Sequence, residues 1–203
     1  MTKAAAHVQP RTVVVAEDEA LIRMDLVEML GELGYQVVGQ AGDGEQAVVL
    51  ARDLRPDVVF LDVAMPIRDG LSAAQEIVAA GLAPVVMVTA FSQSEVVAKA
   101  AAAGALGYLV KPFSARDLTP AIELAVARWM QLQELVAQVE NLQERVAARE
   151  MVDRAKTRLQ SDLGLTEAAA FTWLRQQAMD ARVTLAEVAA RVLDGRKPTN
   201  LDA

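Results

Sequence analysis

The sequence predicts an open, doubly wound α/β sheet of five parallel strands, followed by a long helix and a small all-α helical bundle. Two observations carry that prediction. Between Thr12 and Arg128, short β-branched runs alternate with helical patterns. Beyond Arg128 only helical periodicities remain.

The five runs are TVVVA (12–16), QVVGQ (36–40), DVVFL (57–61), PVVMV (84–88) and LGYLV (106–110). Most carry consecutive apolar residues without polar alternation, as expected of strands covered on both faces. The first intervening helix places Leu21, Met24, Leu26, Val27 and Leu30 at helical spacing as its expected apolar face, and Gly34 is its expected C-cap. In such a sheet the ligand site lies outside the carboxyl ends of the strands. Those ends carry the polar residues. Strand one runs into Glu17-Asp18-Glu19, strand three into Asp62, strand four into Thr89 and strand five into Lys111-Pro112. Singly, an acidic triplet before a helix complements the helix dipole, and Lys-Pro makes a turn. Together they bring carboxylates, a hydroxyl and an ammonium to one edge. Clustered acids repel one another unless a cation offsets them, so a divalent ion is expected, and Mg²⁺ suits a site of few carboxylates. Asp62 is then an anionic oxygen nucleophile fit to accept a phosphoryl group.

In the second half, Ser114 with Asp117 three residues on predicts a helix start, with Pro120 either opening the helix proper or marking an irregularity. No strong breaker follows until Gly164. Leu132, Leu135, Val139, Leu142 and Val146 repeat in steps of three and four, as in a coiled-coil seam. Two short helices come next. Phe171, Leu174 and Ala178 share one face of the first. Leu185, Val188, Ala189 and Val192 share one face of the second, which Thr184 and Glu187 open as a capping box.

The net charge of −7 is uneven. Residues 1–148 carry 11 Lys/Arg against 19 Asp/Glu, and residues 149–203 carry 9 against 8. A polyanion is therefore unwelcome in the first part and permitted in the second. There is no cysteine, hence no disulfide or thiolate metal site, and the one histidine, His7, lies in the N-terminal tail as a bystander. No stretch is long and apolar enough for a membrane span, so no membrane partner is expected and a cytoplasmic location is.

AEDEALIR, FLDVAMPIRDG, VVMVTAF and GYLVKPF resemble the receiver domain of two-component response regulators, over residues 11–128. The resemblance implies that Asp62 is phosphorylated and that Glu17 and Asp18 hold Mg²⁺ with Asp62 and the backbone carbonyl of Ala64. It implies that Thr89 and Lys111 meet the phosphoryl group and that Tyr108 is the switch aromatic. Glu17 departs from the Asp common at its position. Arg154 to Val192 is similar to the ANTAR domain, an RNA-binding antitermination module, here expected over residues 129–195. Within it, 129–150 are expected to form the coiled-coil-like helix and 151–195 the bundle, leaving tails at 1–10 and 196–203. Arg154, Lys156, Arg158, Arg175, Arg182 and Trp173 are the candidate RNA contacts, whereas Phe171 and Leu174 are expected to be packing residues.

The expected function is that of a phosphorylation-controlled response regulator, served by a sensor histidine kinase, dimerising on phosphorylation and acting on structured RNA as a transcription antiterminator. No catalytic set is visible outside the receiver-like half, so an enzyme is not expected. A DNA-binding regulator or a protein-binding signalling adaptor is the alternative.

Overall fold

The structure, a computed structural model, describes residues 11–90 and 100–195. His7 and both expected tails lie outside the described residues.

The elements follow the expected alternation. β1 (Thr12–Ala16), α1 (Ala20–Glu32), β2 (Gln36–Ala41), α2 (Gly44–Leu54), β3 (Val58–Asp62), α3 (Gly70–Ala79), β4 (Val85–Thr89) and β5 (Gly107–Val110) form the first half. The long α4 (Ala115–Leu163), then α5 (Glu167–Ala181) and α6 (Leu185–Leu193), form the rest. The strands are parallel in the order β2-β1-β3-β4-β5. The order reverses direction between β1 and β3, which opens the ligand crevice at their carboxyl ends.

Every residue of β3 and β4 is buried, because helices cover both faces of the sheet. Val14, Val59, Leu61, Val85 and Met87 point to one side, against alanines of α2 and α3 and Ile77. Their strand neighbours Val13, Val15, Phe60, Val86 and Val88 point to the other, against Leu26 and Leu30 of α1 and Leu118, Ile122 and Ala125 of α4. β3 and β4 each run one residue beyond expectation, so Asp62 and Thr89 are the last residues of their strands rather than loop residues.

Helix ends follow local chemistry. The Asp43 and Asp69 side chains accept from the backbone of Gln46 and Ser72, capping α2 and α3. Gly34 takes φ +84 after α1, where Tyr35 N–H closes onto Leu30 O at 3.0 Å, as its C-cap role requires. α4 begins at Ala115, with Asp117 accepting from Ser114 N–H at 2.9 Å, so Pro120 lies within the helix rather than opening it. The Thr184–Glu187 capping box of α6 is present.

Two expected apolar faces differ from the structure. On α1, Leu26 and Leu30 are buried, but Leu21 and Met24 are exposed. At about 100° per residue, Leu21 and Met24 lie on the far side of the helix from Leu26 and Leu30, whose side holds the half-buried Ile22 at its N-terminal end. On α5, Leu174 and Ala178 are buried while Phe171 is 43% exposed.

In the loop after β3, Ile67 adopts φ +64 and is 86% exposed. A β-branched residue in the left-handed region crowds its own backbone and gains no burial here in return. Ile67→Asn is expected to raise stability by about 1 kcal/mol, read as a higher denaturant midpoint at unchanged slope.

The chain divides into two compact units with the boundary between Gln133 and Glu134, inside α4. The second unit has its own core: Val152, Ala155 and Leu159 of α4 meet Ala170 and Leu174 of α5 and Val188, Ala189 and Val192 of α6. Gly164, at φ +66, ends α4. Between 131 and 147 every residue is exposed, including Leu135, Val139, Leu142 and Val146 of the expected seam. Among the described residues, no helix is long and apolar enough to cross a membrane.

Candidate functional site

The site is built from strand ends. β1 delivers Glu17, and its N–H donates to Ala41 O of β2 at 3.1 Å while the Arg23 guanidinium donates to its carbonyl. These contacts hold the Glu17 backbone from both sides. β3 delivers Asp62, fixed because Val63 N–H donates to Val88 O of β4 at 3.1 Å. Lys111 follows β5, and its N–H donates to Thr89 O at 2.8 Å. The peptide bond between Lys111 and Pro112 is cis.

Carboxylate oxygens of Glu17, Asp18 and Asp62 lie within 4.8 Å of one another. Glu17 and Asp62 are buried, whereas Asp18 is exposed at the mouth. Lys111 Nζ sits 2.6 Å from Glu17 Oε2 and 3.2 Å from Asp62 Oδ1. Burial pushes the Glu17 carboxyl up, only partly countered by its contact with Lys111. Burial likewise raises Asp62, against the lowering pull of the same ammonium. For Lys111 burial works downward, but the carboxylates outweigh it and its pKa is raised, so the ammonium stays charged.

One ammonium thus faces three acids. The buried Glu17 Oε2 has that ammonium close by but no aligned hydrogen-bond donor. Strongly desolvated oxygens with an unmet charge suit a hard divalent cation, so these residues fit Mg²⁺. Thr89 is buried at the end of β4, next in its strand to Val88, which pairs with Asp62. Tyr108 is half-buried in β5 and Ala64 is exposed just past β3. The structure therefore gathers Glu17, Asp18, Asp62 and Lys111 by measured contact.

Gly70 is a site residue that the sequence pattern did not disclose. It opens α3, and its N–H donates to Val63 O at 3.1 Å. A Cβ there would fall 1.8 Å from Asp62 O. The signal is Asp69-Gly70, which reads in sequence only as a turn. Arg23 also escapes notice there, since its partner is a backbone carbonyl.

The helical half is different in kind. Lys156 Nζ is held by Asp153 at 2.8 Å and Glu167 at 2.9 Å. Arg158 pairs with Asp162 at 3.3 Å and donates to Leu193 O at 2.8 Å, binding α4 to the end of α6. Arg154, Arg175 and Arg182 are exposed. Trp173 packs against the core with its indole N–H buried and unpartnered. Arg154 and Lys156 leave α4 roughly 160° apart, so the candidate RNA contacts do not form one patch.

The family model of the response regulator receiver domain matches residues 13–123, and that of the ANTAR domain matches residues 140–193. The chain belongs to the receiver–ANTAR response regulators. It is 55% identical over 185 residues to the transcriptional regulatory protein PdtaR of Mycobacterium tuberculosis, covering 91% of this chain and 90% of that one. The receiver half is similar to the signal receiver domain of NarL from the same species, with TM-score 0.56, 30% identity, and coverage of 59% of this chain and 98% of that one. It is also similar to the receiver domain of histidine kinase PA1611 from Pseudomonas aeruginosa, solved with a magnesium ion in its active-site cleft. There the TM-score is 0.53 at 30% identity, covering 58% of this chain and 98% of that one. A receiver–ANTAR protein is a phosphorylation-controlled response regulator whose output is RNA-binding antitermination. That makes it a signalling protein whose ANTAR half implies RNA binding.

Proposed function

We propose that Asp62 accepts a phosphoryl group from a sensor histidine kinase and that this controls RNA binding by the ANTAR module, residues 129–195, from the receiver, residues 11–128. The observation that carries it is the cluster of Glu17, Asp18 and Asp62 with Lys111 among them. An Asp62 carboxylate oxygen attacks the phosphorus of the kinase's phosphohistidine; the new O–P bond forms as the P–N bond breaks and the imidazole departs. Lys111, kept charged, exchanges part of its carboxylate pairing for the incoming phosphoryl oxygens. Mg²⁺, held by Glu17, Asp18, Asp62 and the Ala64 carbonyl, supplies further counter-charge when bound. Thr89 takes a phosphoryl oxygen by its hydroxyl, and Tyr108 turns with it to change the face around β5. Glu17, longer than Asp, uses part of its reach on Lys111.

The exposed seam of Leu135, Val139, Leu142 and Val146 supports pairing of two copies through α4. One near-neutral module offers little electrostatic affinity for RNA, and two linked modules multiply it.

Asp18→Ala is expected to abolish Mg²⁺ binding in calorimetry and to slow phosphorylation, because the exposed carboxylate at the mouth is removed while the fold is untouched. Unchanged Mg²⁺ affinity would remove the metal assignment. For the output, the phosphorylated protein should bind hairpin RNA more tightly than the unphosphorylated one. Lys156→Ala with Arg175→Ala should weaken that binding and flatten its salt dependence, by about one unit of slope or less for each phosphate no longer neutralised. A double variant with wild-type affinity and slope would clear both residues.

A further inference from the structure

Phe171 lies within about 60° of Leu174 and Ala178 around α5, yet it is 43% exposed where they are buried. The reason is across from it. Phe171 lines a cleft of about 420 Å³ between α4, α5 and α6, and the residues of α4 and α6 facing it include Ala148 and Ala186, which are too small to close the space. Val152 and Leu185 make the remaining apolar wall, and Arg149, Asp153 and Lys156 stand on the α4 side. The volume lies within the range of small-ligand pockets.

We propose that this cleft takes one unpaired RNA base, stacked on the Phe171 ring, with Arg149 and Lys156 meeting the phosphates beside it. The inference rests on the RNA-binding reading and adds to it the place and form of recognition. An aromatic face opposite two cations suits a nucleotide's alternation of flat apolar base and anionic phosphate. Asp153 and Glu167 position the Lys156 ammonium at the rim, and both are exposed, so their pairing exchanges readily for a phosphate oxygen.

The test uses the full-length phosphorylated protein, a stem-loop RNA enriched by the wild type from a randomised-loop pool, and a blunt duplex of the same stem. Phe171→Ala is expected to weaken stem-loop binding about tenfold, with duplex binding and the salt slope unchanged, since the phosphate-facing cations stay in place. Phe171→Tyr should keep wild-type affinity. Phe171→Leu, which retains the apolar volume and so guards against loss of fold, should weaken binding as Ala does. Photoreactive uridine in the loop should cross-link to the peptide containing Phe171. Wild-type affinity in the Ala and Leu variants would overturn the cleft assignment and leave RNA binding standing. An equal loss for stem-loop and duplex would assign Phe171 a merely structural part and overturn it as well. If the wild type binds no stem-loop better than the duplex, the RNA reading itself falls, and this one with it.

Discussion

Gly70→Ala is expected to destabilise the receiver by about 3 kcal/mol and to cut phosphorylation sharply. The added Cβ would lie 1.8 Å from Asp62 O, 2.9 Å from Asp62 C and 3.3 Å from Met87 Cε. Rotation of a flexible side chain cannot relieve the first two contacts, because both atoms are backbone. Either β3 moves at its last residue or α3 moves at its first. Each choice costs a hydrogen bond, the one that Gly70 N–H gives Val63 O or the one that Val63 N–H gives Val88 O. It also displaces Asp62 relative to Glu17 and Lys111. Equilibrium denaturation and labelling by a small phosphodonor measure the two effects separately. A variant with wild-type stability and labelling would show that Gly70 does not hold Asp62 in place.

Asp62→Asn should abolish labelling by kinase and by small phosphodonor, because the amide keeps the shape and lacks the anionic nucleophile. Base-labile label at full stoichiometry in the variant would name another acceptor. The same substitution should raise the melting temperature of the metal-free protein. Burial raises the Asp62 pKa, so the folded state holds its proton more tightly than the unfolded chain does. Stability in the absence of metal therefore falls as pH rises from the unfolded carboxylate value, about 3.9, through the raised folded one. Glu17, also raised, acts in the same direction. The uncharged amide removes the Asp62 share of that slope. Mg²⁺ should restore stability at neutral pH to the wild type and not to the variant.

Much of this was legible because strands covered on both faces announce themselves. VVFL and VVMV admit no polar alternation, so the polar residue at each run's end stood out, and topology placed those ends together. The acid cluster followed from the same logic. Apolarity misled where it stood in for direction. Leu21 and Met24 are as apolar as Leu26, yet at about 100° per residue they face away from it on α1 and stay exposed. Phe171 fits the stripe of α5, and only the alanines opposite, distant in sequence, leave it open. Gly70 needs no left-handed backbone, so no turn preference marks it. Its requirement is the close approach of a carbonyl from another element. Arg158 read as a candidate RNA contact, and its work as a clasp on Leu193 depends on a contact 35 residues away.

From 131 to 147 not one residue of α4 is covered. A helical stretch of this length is marginal in water without tertiary support, so the pairing proposed for the seam would also support the helix, and its helicity would then rise with protein concentration. Val139 and Val146 alternate with Leu135 and Leu142, β-branched residues at one register position and leucines at the other. That pattern is the one that favours two parallel strands over three in a coiled coil. On the proposed pairing the helix would thus act as a census device, counting to two and losing its support when copies are scarce.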